Sequence, residues 1–196
     1  MTNSASPSSS SSQTSAQNLG LVILSFTLYW LAYECNELLD PYAGYMQGVS
    51  LIFLPAGIKL VMLMVTGWRG ALGCGLAIFW MATTRFWAGL PLSTLASYAA
   101  LSVGVTWIVV SLMLRHKALG PELEGLSFRD IVEIDVINTL LHGIAVNSLF
   151  WSLGQRSSEA LWPSALAMAL GDFLGNGIIM LLVLLVARFV VPQGRL

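Results

Sequence analysis

Apolar runs of about 20 residues recur along this chain, and a hydrocarbon core of roughly 30 Å takes about that many residues per helix. Six stretches have the length: Leu19–Leu38, Val49–Thr66, Gly70–Ala88, Leu92–Leu114, Ile131–Leu153 and Trp162–Val190. Their apolar character is continuous and does not alternate, which excludes the strands of a membrane β-barrel. The expected fold is all-α, a polytopic membrane protein with about six transmembrane helices in one bundle spanning residues 19–190. Residues 1–18 are Ser-rich and carry no charged side chain. They bury too little apolar surface to offset their ordering entropy and are expected to be disordered. They also lack the basic segment of a signal peptide, so Leu19 onward reads as a retained first span. Residues 191–196 form a short tail.

Composition agrees with this reading. Apolar residues make up 56% and charged residues 10% of the chain, with a mean hydropathy of +0.76, against about 25% charge in soluble domains. Nine basic residues face ten acidic ones, which excludes a basic surface for nucleic acid. The partner expected from composition is the lipid bilayer.

Basic residues set the orientation. Arg69, Arg115, Lys117, Arg129, Arg188 and Arg195 fall on one side, Arg85 and Arg156 on the other. Six against two puts both the N- and C-termini in the cytoplasm. Trp30, Trp68, Trp87, Trp151 and Trp162 lie near span ends, as interfacial aromatics do. A polar connector, Arg115–Asp130, carries Pro121 and Gly125 as breakers.

Ionisable groups within spans are costly, and each is a functional hypothesis. Lys59 lies in the second span and Asp172 in the sixth. Counted from the outer ends, both are roughly 15 Å deep at about 1.5 Å per residue. Opposite charges at one depth suggest an ion pair. Three readings stand: a pair that fixes helix register, a lysine that snorkels to the interface, and a pair that lines a ligand or ion cavity. Asn176, four residues after Asp172, extends a polar stripe. Beside it Ala167, Gly171 and Gly175 form a small-residue ridge suited to close helix approach. Gly67, Ala71 and Gly75 form a similar ridge around the third span.

The fifth span carries Asp135, Asn138, Thr139 and His142 within one sector of about 100°. This stripe reads either as a hydrogen-bonded seam or as a proton or ion half-channel. Glu133 points elsewhere, toward the inner headgroups. His116, the other histidine, belongs to the connector, so no metal site is expected. Cys35 and Cys74 have no metal or disulfide spacing and read as packing residues. No GxSxG, HExxH or phosphate-loop pattern occurs, and Ser148 misses the face of His142. No catalytic activity and no cofactor are expected.

The stretch Gly48–Trp80, with Pro55-Ala56-Gly57-Ile58, Gly67-Trp68-Arg69, Gly73 and Gly75, resembles the MASE-type membrane-associated sensor domains. Gly171-Asp172-Phe173-Leu174-Gly175 is similar to the Gly-Asp-x-x-Gly element of a late span in that family. The matching stretches cover roughly a quarter of the chain. Such domains usually have about eight spans and a fused cytoplasmic output domain, whereas six spans are visible here, and Lys59 is unusual after the Pro-x-Gly element. The resemblance implies a bacterial inner-membrane sensor-like or adaptor subunit that signals through a protein partner. Its polar centre is expected to comprise Lys59, Asp172, Asn176, Asp135, Asn138 and His142, with a small molecule as a candidate ligand. Two alternatives remain open: an uptake subunit resembling the substrate-binding component of energy-coupling-factor transporters, and a structural accessory subunit of a larger complex.

Overall fold

The structure is a computed structural model that describes residues 8–87, 89–117, 123 and 125–190. Helix α1 spans Ser8–Glu37 and is followed by a single turn, α2 (Asp40–Ala43). A small antiparallel hairpin, β1 (Gly44–Met46) and β2 (Val49–Ser50), leads into α3 (Leu54–Thr66) and α4 (Trp68–Met81). Helices α5 (Leu92–His116), α6 (Phe128–Ser152) and α7 (Ser158–Val190) complete the bundle. The chain is therefore predominantly helical. Among the described residues, three helices are long and apolar enough to cross a membrane: Thr14–Glu37, Leu92–His116 and Ser158–Val186.

Three boundaries differ from the sequence reading. Helix α1 begins at Ser8, so the described part of the Ser-rich segment is helical. A helix already nucleated by an apolar span propagates through Ser and Gln at small cost per residue. The remainder of that segment, Pro121 and the tail 191–196 lie outside the described residues. The second apolar run is helical only from Leu54, because Pro55 sits in the first turn and lacks the N–H that a longer helix would need. Val49–Phe53 instead supplies the second hairpin strand and a bent, non-helical lead-in. Finally, α4 ends in a π-turn at Ala82–Phe86. This turn aims Arg85 at Glu34 (2.7 Å) and Glu37 (2.6 Å) of α1 and carries the chain on to Trp87.

The glycine ridges make close approaches of two kinds. On α7, Gly171 lies against the backbone that leads into α3, and Gly175 lies against that backbone and against α3 itself at Gly57. A Cβ at Gly171 would overlap the Ser50 carbonyl, and one at Gly175 the Phe53 carbonyl. Phe53 N–H donates to the Gly171 carbonyl at 3.0 Å, so the lead-in to α3 lies directly on α7. Ala167 is half-buried and packs with Val49, Val146, Phe150 and Met168. Gly67 is outside the ridge, as the joint between α3 and α4 at φ +61°. Ala71 and Gly75 pack toward α1 and α5. The closest approaches of α4 come from its neighbours Gly70, against the Met62 carbonyl, and Gly73, against Val22 and Ser25.

The main apolar core joins Tyr29, Met62, Leu63, Cys74, Ile78, Met81 and Val103, with Cys74 fully buried and Cys35 exposed. The outer surface carries a wide band of exposed Leu, Ile, Val and Trp, including every residue from Leu181 to Val186. An apolar surface of that extent is a lipid- or partner-facing surface and not a water-facing one.

The Gly171 contact gives a direct test. Gly171→Ala should force α7 off the lead-in segment and destabilise the fold by about 1–3 kcal/mol, the usual range for overpacking. Gly177→Ala, on the same helix with open space around it, should be neutral. Thermal unfolding of both variants in one detergent checks the contrast.

Candidate functional site

Four helices each send one polar side chain to a common point. Lys59 comes from α3, Ser102 from α5, His142 from α6 and Asp172 from α7. All four residues are at least 96% buried. His142 Nδ1 donates to Asp172 Oδ2 at 2.6 Å. A carboxylate only accepts, so that nitrogen carries the hydrogen and Nε2 is left as an acceptor. Ser102 Oγ lies 2.8 Å from Nε2 and donates to it. Lys59 Nζ donates to Ser102 Oγ (3.2 Å) and to the Ser102 carbonyl (3.4 Å), and its nitrogen lies 3.2 Å from Nε2. Ammonium and carboxylate are thus joined through a hydroxyl and an imidazole.

The sequence reading had Lys59 and Asp172 level and paired, and this needs correction. Gly57 packs against Gly175 and Ile179 while Ser50 lies at Gly171, so α3 and α7 run parallel with a fixed offset. That offset puts the Lys59 backbone roughly two turns beyond Asp172 along the bundle. The lysine side chain leans back toward its helix N-terminus, as helical side chains do, and meets His142. Among the described residues Asp172 pairs with His142, and no ion pair links it to Lys59.

Of the stripe on α6, Asp135, Asn138, Thr139 and His142 all face inward and are buried. Asn176 Nδ2 donates to Asp135 Oδ1, which brings the α6 and α7 stripes together below the His142–Asp172 pair. The Asn138 and Asn176 Oδ1 atoms are buried without a hydrogen-bond partner among the described residues, an arrangement that leaves two acceptors open to a donor. Glu133 stands apart, as expected, bonded to Lys117 (2.7 Å) and Arg129 (2.9 Å). Among the described residues no cluster of three His, Cys, Asp or Glu side chains is placed to hold a metal ion.

A cavity of about 380 Å³ reaches Ser102, His142 and Asp172. Its walls are aromatic and thioether groups, notably Tyr29, Tyr98, Trp87 and Met168, and the hairpin 44–50 forms its cover. The cover is tied down at several points. Arg156 donates to the Gln47 carbonyl (3.2 Å) and to Asn147 Oδ1, Ser164 Oγ to Met46 Sδ (2.9 Å), and Ser50 Oγ to the Ile52 carbonyl (2.8 Å). Asn36, fully buried, accepts from Leu54 N–H (2.8 Å) and donates to Asp40 (2.9 Å), fixing the start of α3 at the cavity mouth.

Sequence reasoning missed Ser102 and the tyrosines. A signal was present: Tyr98, Ser102 and Thr106 recur every four residues on α5, and Ser25, Tyr29 and Tyr33 do so on α1, each a polar stripe along one helix face. A single hydroxyl per turn in an apolar run attracts no notice, because it can satisfy itself on the carbonyl four residues back. Ser25 does this, at 2.7 Å.

At the start of α6, Lys117 bonds Asp130 at 2.6 Å, and Ser127 and Asp130 form a reciprocal cap on the helix. The Lys117 ammonium, and then Ser127, hold the Asp130 carboxyl well below its ordinary value of 3.8. Asp130, followed by Glu133, raises Lys117 above its ordinary 10.5. Comparison with family models, with curated proteins and with solved structures found no match for this chain.

Two outcomes follow. Removing one member of the buried chain strands charge, so Asp172→Asn and His142→Gln should each cost about 3–5 kcal/mol. Their double variant should cost less than the sum by about 0.5–3 kcal/mol, and the Lys59–Asp172 coupling should be the smaller of the two. Reversible unfolding in detergent measures both cycles. The connector has its own pH window. A depressed carboxylate stabilises above its unfolded pKa and a raised lysine below its own. Exchange protection at residues 127–131, corrected for intrinsic rates, should therefore hold from about pH 5 to 9 and fall below about pH 4.

Proposed function

We propose that this chain is a six-span bacterial inner-membrane protein with both termini in the cytoplasm. In this reading it is a sensor-like or adaptor subunit that recognises a small molecule in its cavity and signals through a protein partner. One observation carries the proposal: Ser102, His142 and Asp172 of α5, α6 and α7 form the cavity floor, and their chain of hydrogen bonds continues behind it to Lys59 of α3. A ligand with a polar group at that floor competes for partners on several helices at once. It therefore has a route to different affinities for different arrangements of the bundle, which is what a ligand-driven switch requires.

Three further features support the reading. The six-to-two distribution of basic residues favours cytoplasmic termini. On this reading the short α3 and α4, joined at Gly67, serve as two spans, a view supported by the packing of their apolar faces with α1 and α5 and of α3 with α7 at Gly57. The MASE-like elements place Pro55-Ala56-Gly57 at the start of α3 and Gly171-Asp172 on the segment of α7 that touches it. The cytoplasmic face offered to a partner is the connector with Lys117, Arg129 and Glu133. The covered cavity also favours a second reading, a binding and uptake subunit, in which the partner is an ATPase module.

The chain purified gently from its native membrane should retain a small molecule, detectable by mass spectrometry. Met168→Trp, which fills the cavity, should release that molecule without unfolding the protein. An empty wild-type cavity would remove the recognition reading, and co-isolation of an ATPase would favour uptake over sensing. A reporter fused after Leu196 should be active only in its cytoplasmic format, and a periplasmic signal would overturn the topology.

A further inference from the structure

The geometry points to Ser102 as an acyl-accepting nucleophile, with His142 as its general base and Asp172 as the positioning residue that holds the imidazole. Nucleophile to base is 2.8 Å and base to carboxylate 2.6 Å, inside the hydrogen-bond reach that proton transfer demands. The tautomer is the required one. Asp172 keeps the hydrogen on Nδ1, so Nε2 is the acceptor that faces the serine hydroxyl, and it is shared with the Lys59 ammonium, 3.2 Å from the same nitrogen. All three side chains line one cavity of about 380 Å³, so the nucleophile is buried in the protein yet faces space where a substrate can sit.

Lys59 adds a fourth element. Its ammonium donates to Ser102 Oγ at 3.2 Å and lies outside the cavity lining. A positive charge behind the oxygen stabilises the alkoxide character that develops during attack, and burial strengthens that effect. The cation also engages the Ser102 carbonyl, which anchors the backbone of the nucleophile. Tyr98 is one turn from Ser102 on α5 and lines the same cavity, presenting a phenol donor on the substrate side.

The substrate class follows from the walls. Aromatic and thioether side chains with no Lys or Arg among the lining residues suit an uncharged carboxylic ester with a small apolar acyl group. Ser102 Oγ bonds to the ester carbonyl carbon as its proton passes to His142 Nε2. The carbonyl carbon then releases the alcohol, whose oxygen takes that proton from Nε2. Water next attacks the acyl-serine carbonyl and gives a proton to Nε2. The acid leaves as the Oγ–carbon bond breaks and Oγ recovers the proton. One ester and one water become one acid and one alcohol, with no change of oxidation state.

This goes beyond ligand recognition and is compatible with it, because a covalent acyl-serine is also a way of holding a bundle state. The test uses the full chain in detergent with a short alkyl fluorophosphonate. That reagent forms an Oγ–phosphorus bond as the phosphorus–fluorine bond breaks and the serine proton leaves with fluoride. Intact mass should rise by one phosphonyl group, and peptide mapping should place it on Ser102. His142→Gln should slow labelling by about 100-fold or more. Asp172→Asn should also slow it, with partial rescue in Asp172→Glu. Hydrolysis of p-nitrophenyl butyrate should depend on the same residues.

Ser102→Cys separates access from activation. If N-ethylmaleimide alkylates position 102 in the folded variant while the wild type resists the fluorophosphonate, the serine is reachable and inert. Acylation is then overturned and the recognition reading stands. If neither reagent reaches position 102, the cavity is closed and both readings fall. Labelling on a residue other than Ser102 also overturns the assignment.

Discussion

An ammonium and a carboxylate in a largely apolar interior have to be neutralised or satisfied in place, and this requirement organises the bundle. Lys59 and Asp172 sit too far apart along their helices to touch, so the charge is bridged by Ser102 and His142. Four helices must then converge at one level, each presenting one residue. A bridge of this kind is stabilising only when every member is held, because a stranded buried charge costs several kcal/mol. The close contacts elsewhere serve that convergence. Gly171 and Gly175 let the lead-in segment lie on α7, and Asn36 with Pro55 starts α3 deep enough for Lys59 to reach back toward His142.

Much of this was legible in the chain. The α6 residues Asp135, Asn138, Thr139 and His142 share a helical sector, and all of them turn inward. Lys59 and Asp172 stood out because charge within an apolar run is rare. Depth was the quantity that misled. Counting residues from the end of an apolar run assumes that the run is helical throughout, whereas Val49–Phe53 is not helical and the helix starts at Leu54. The direct pair was inferred from that count. Ser102 was not legible by composition, since a lone hydroxyl in an apolar helix is chemically ordinary. Its meaning comes from α6 and α7, which only tertiary structure places beside it. The glycine ridge is a close-approach surface toward α3 at Gly175 and Gly57, but at Gly171 it also takes the non-helical lead-in, which no helical periodicity announces.

The cavity and the connector share one element. Helix α6 carries His142 in its interior and, in its first turns, Asp130 and Glu133, which bind Lys117. The stretch from Asp130 to His142 amounts to roughly 18 Å at 1.5 Å per residue. A rotation or shift of α6 that breaks His142 from Asp172 therefore moves the ion pairs at the far end with it.

The cover adds direction to that coupling. Hairpin residues 46 and 47 are bonded to Ser164 on α7 and to Arg156 in the α6–α7 turn, and Phe53 to the Gly171 carbonyl. The cover is thus anchored to the same helix pair that supplies His142 and Asp172, while Lys59 and Ser102 belong to α3 and α5. On the proposed recognition reading, a molecule lodged between cover and floor would press one helix pair against the other. A shift of the whole equilibrium from 1:99 to 99:1 takes about 5.5 kcal/mol of differential binding. A few re-partnered buried hydrogen bonds, each involving a charged group and contributing about 1.5–3 kcal/mol, reach that size. The interior chain is therefore the part of the fold with enough energy at stake to convert occupancy of the cavity into a different arrangement of the bundle.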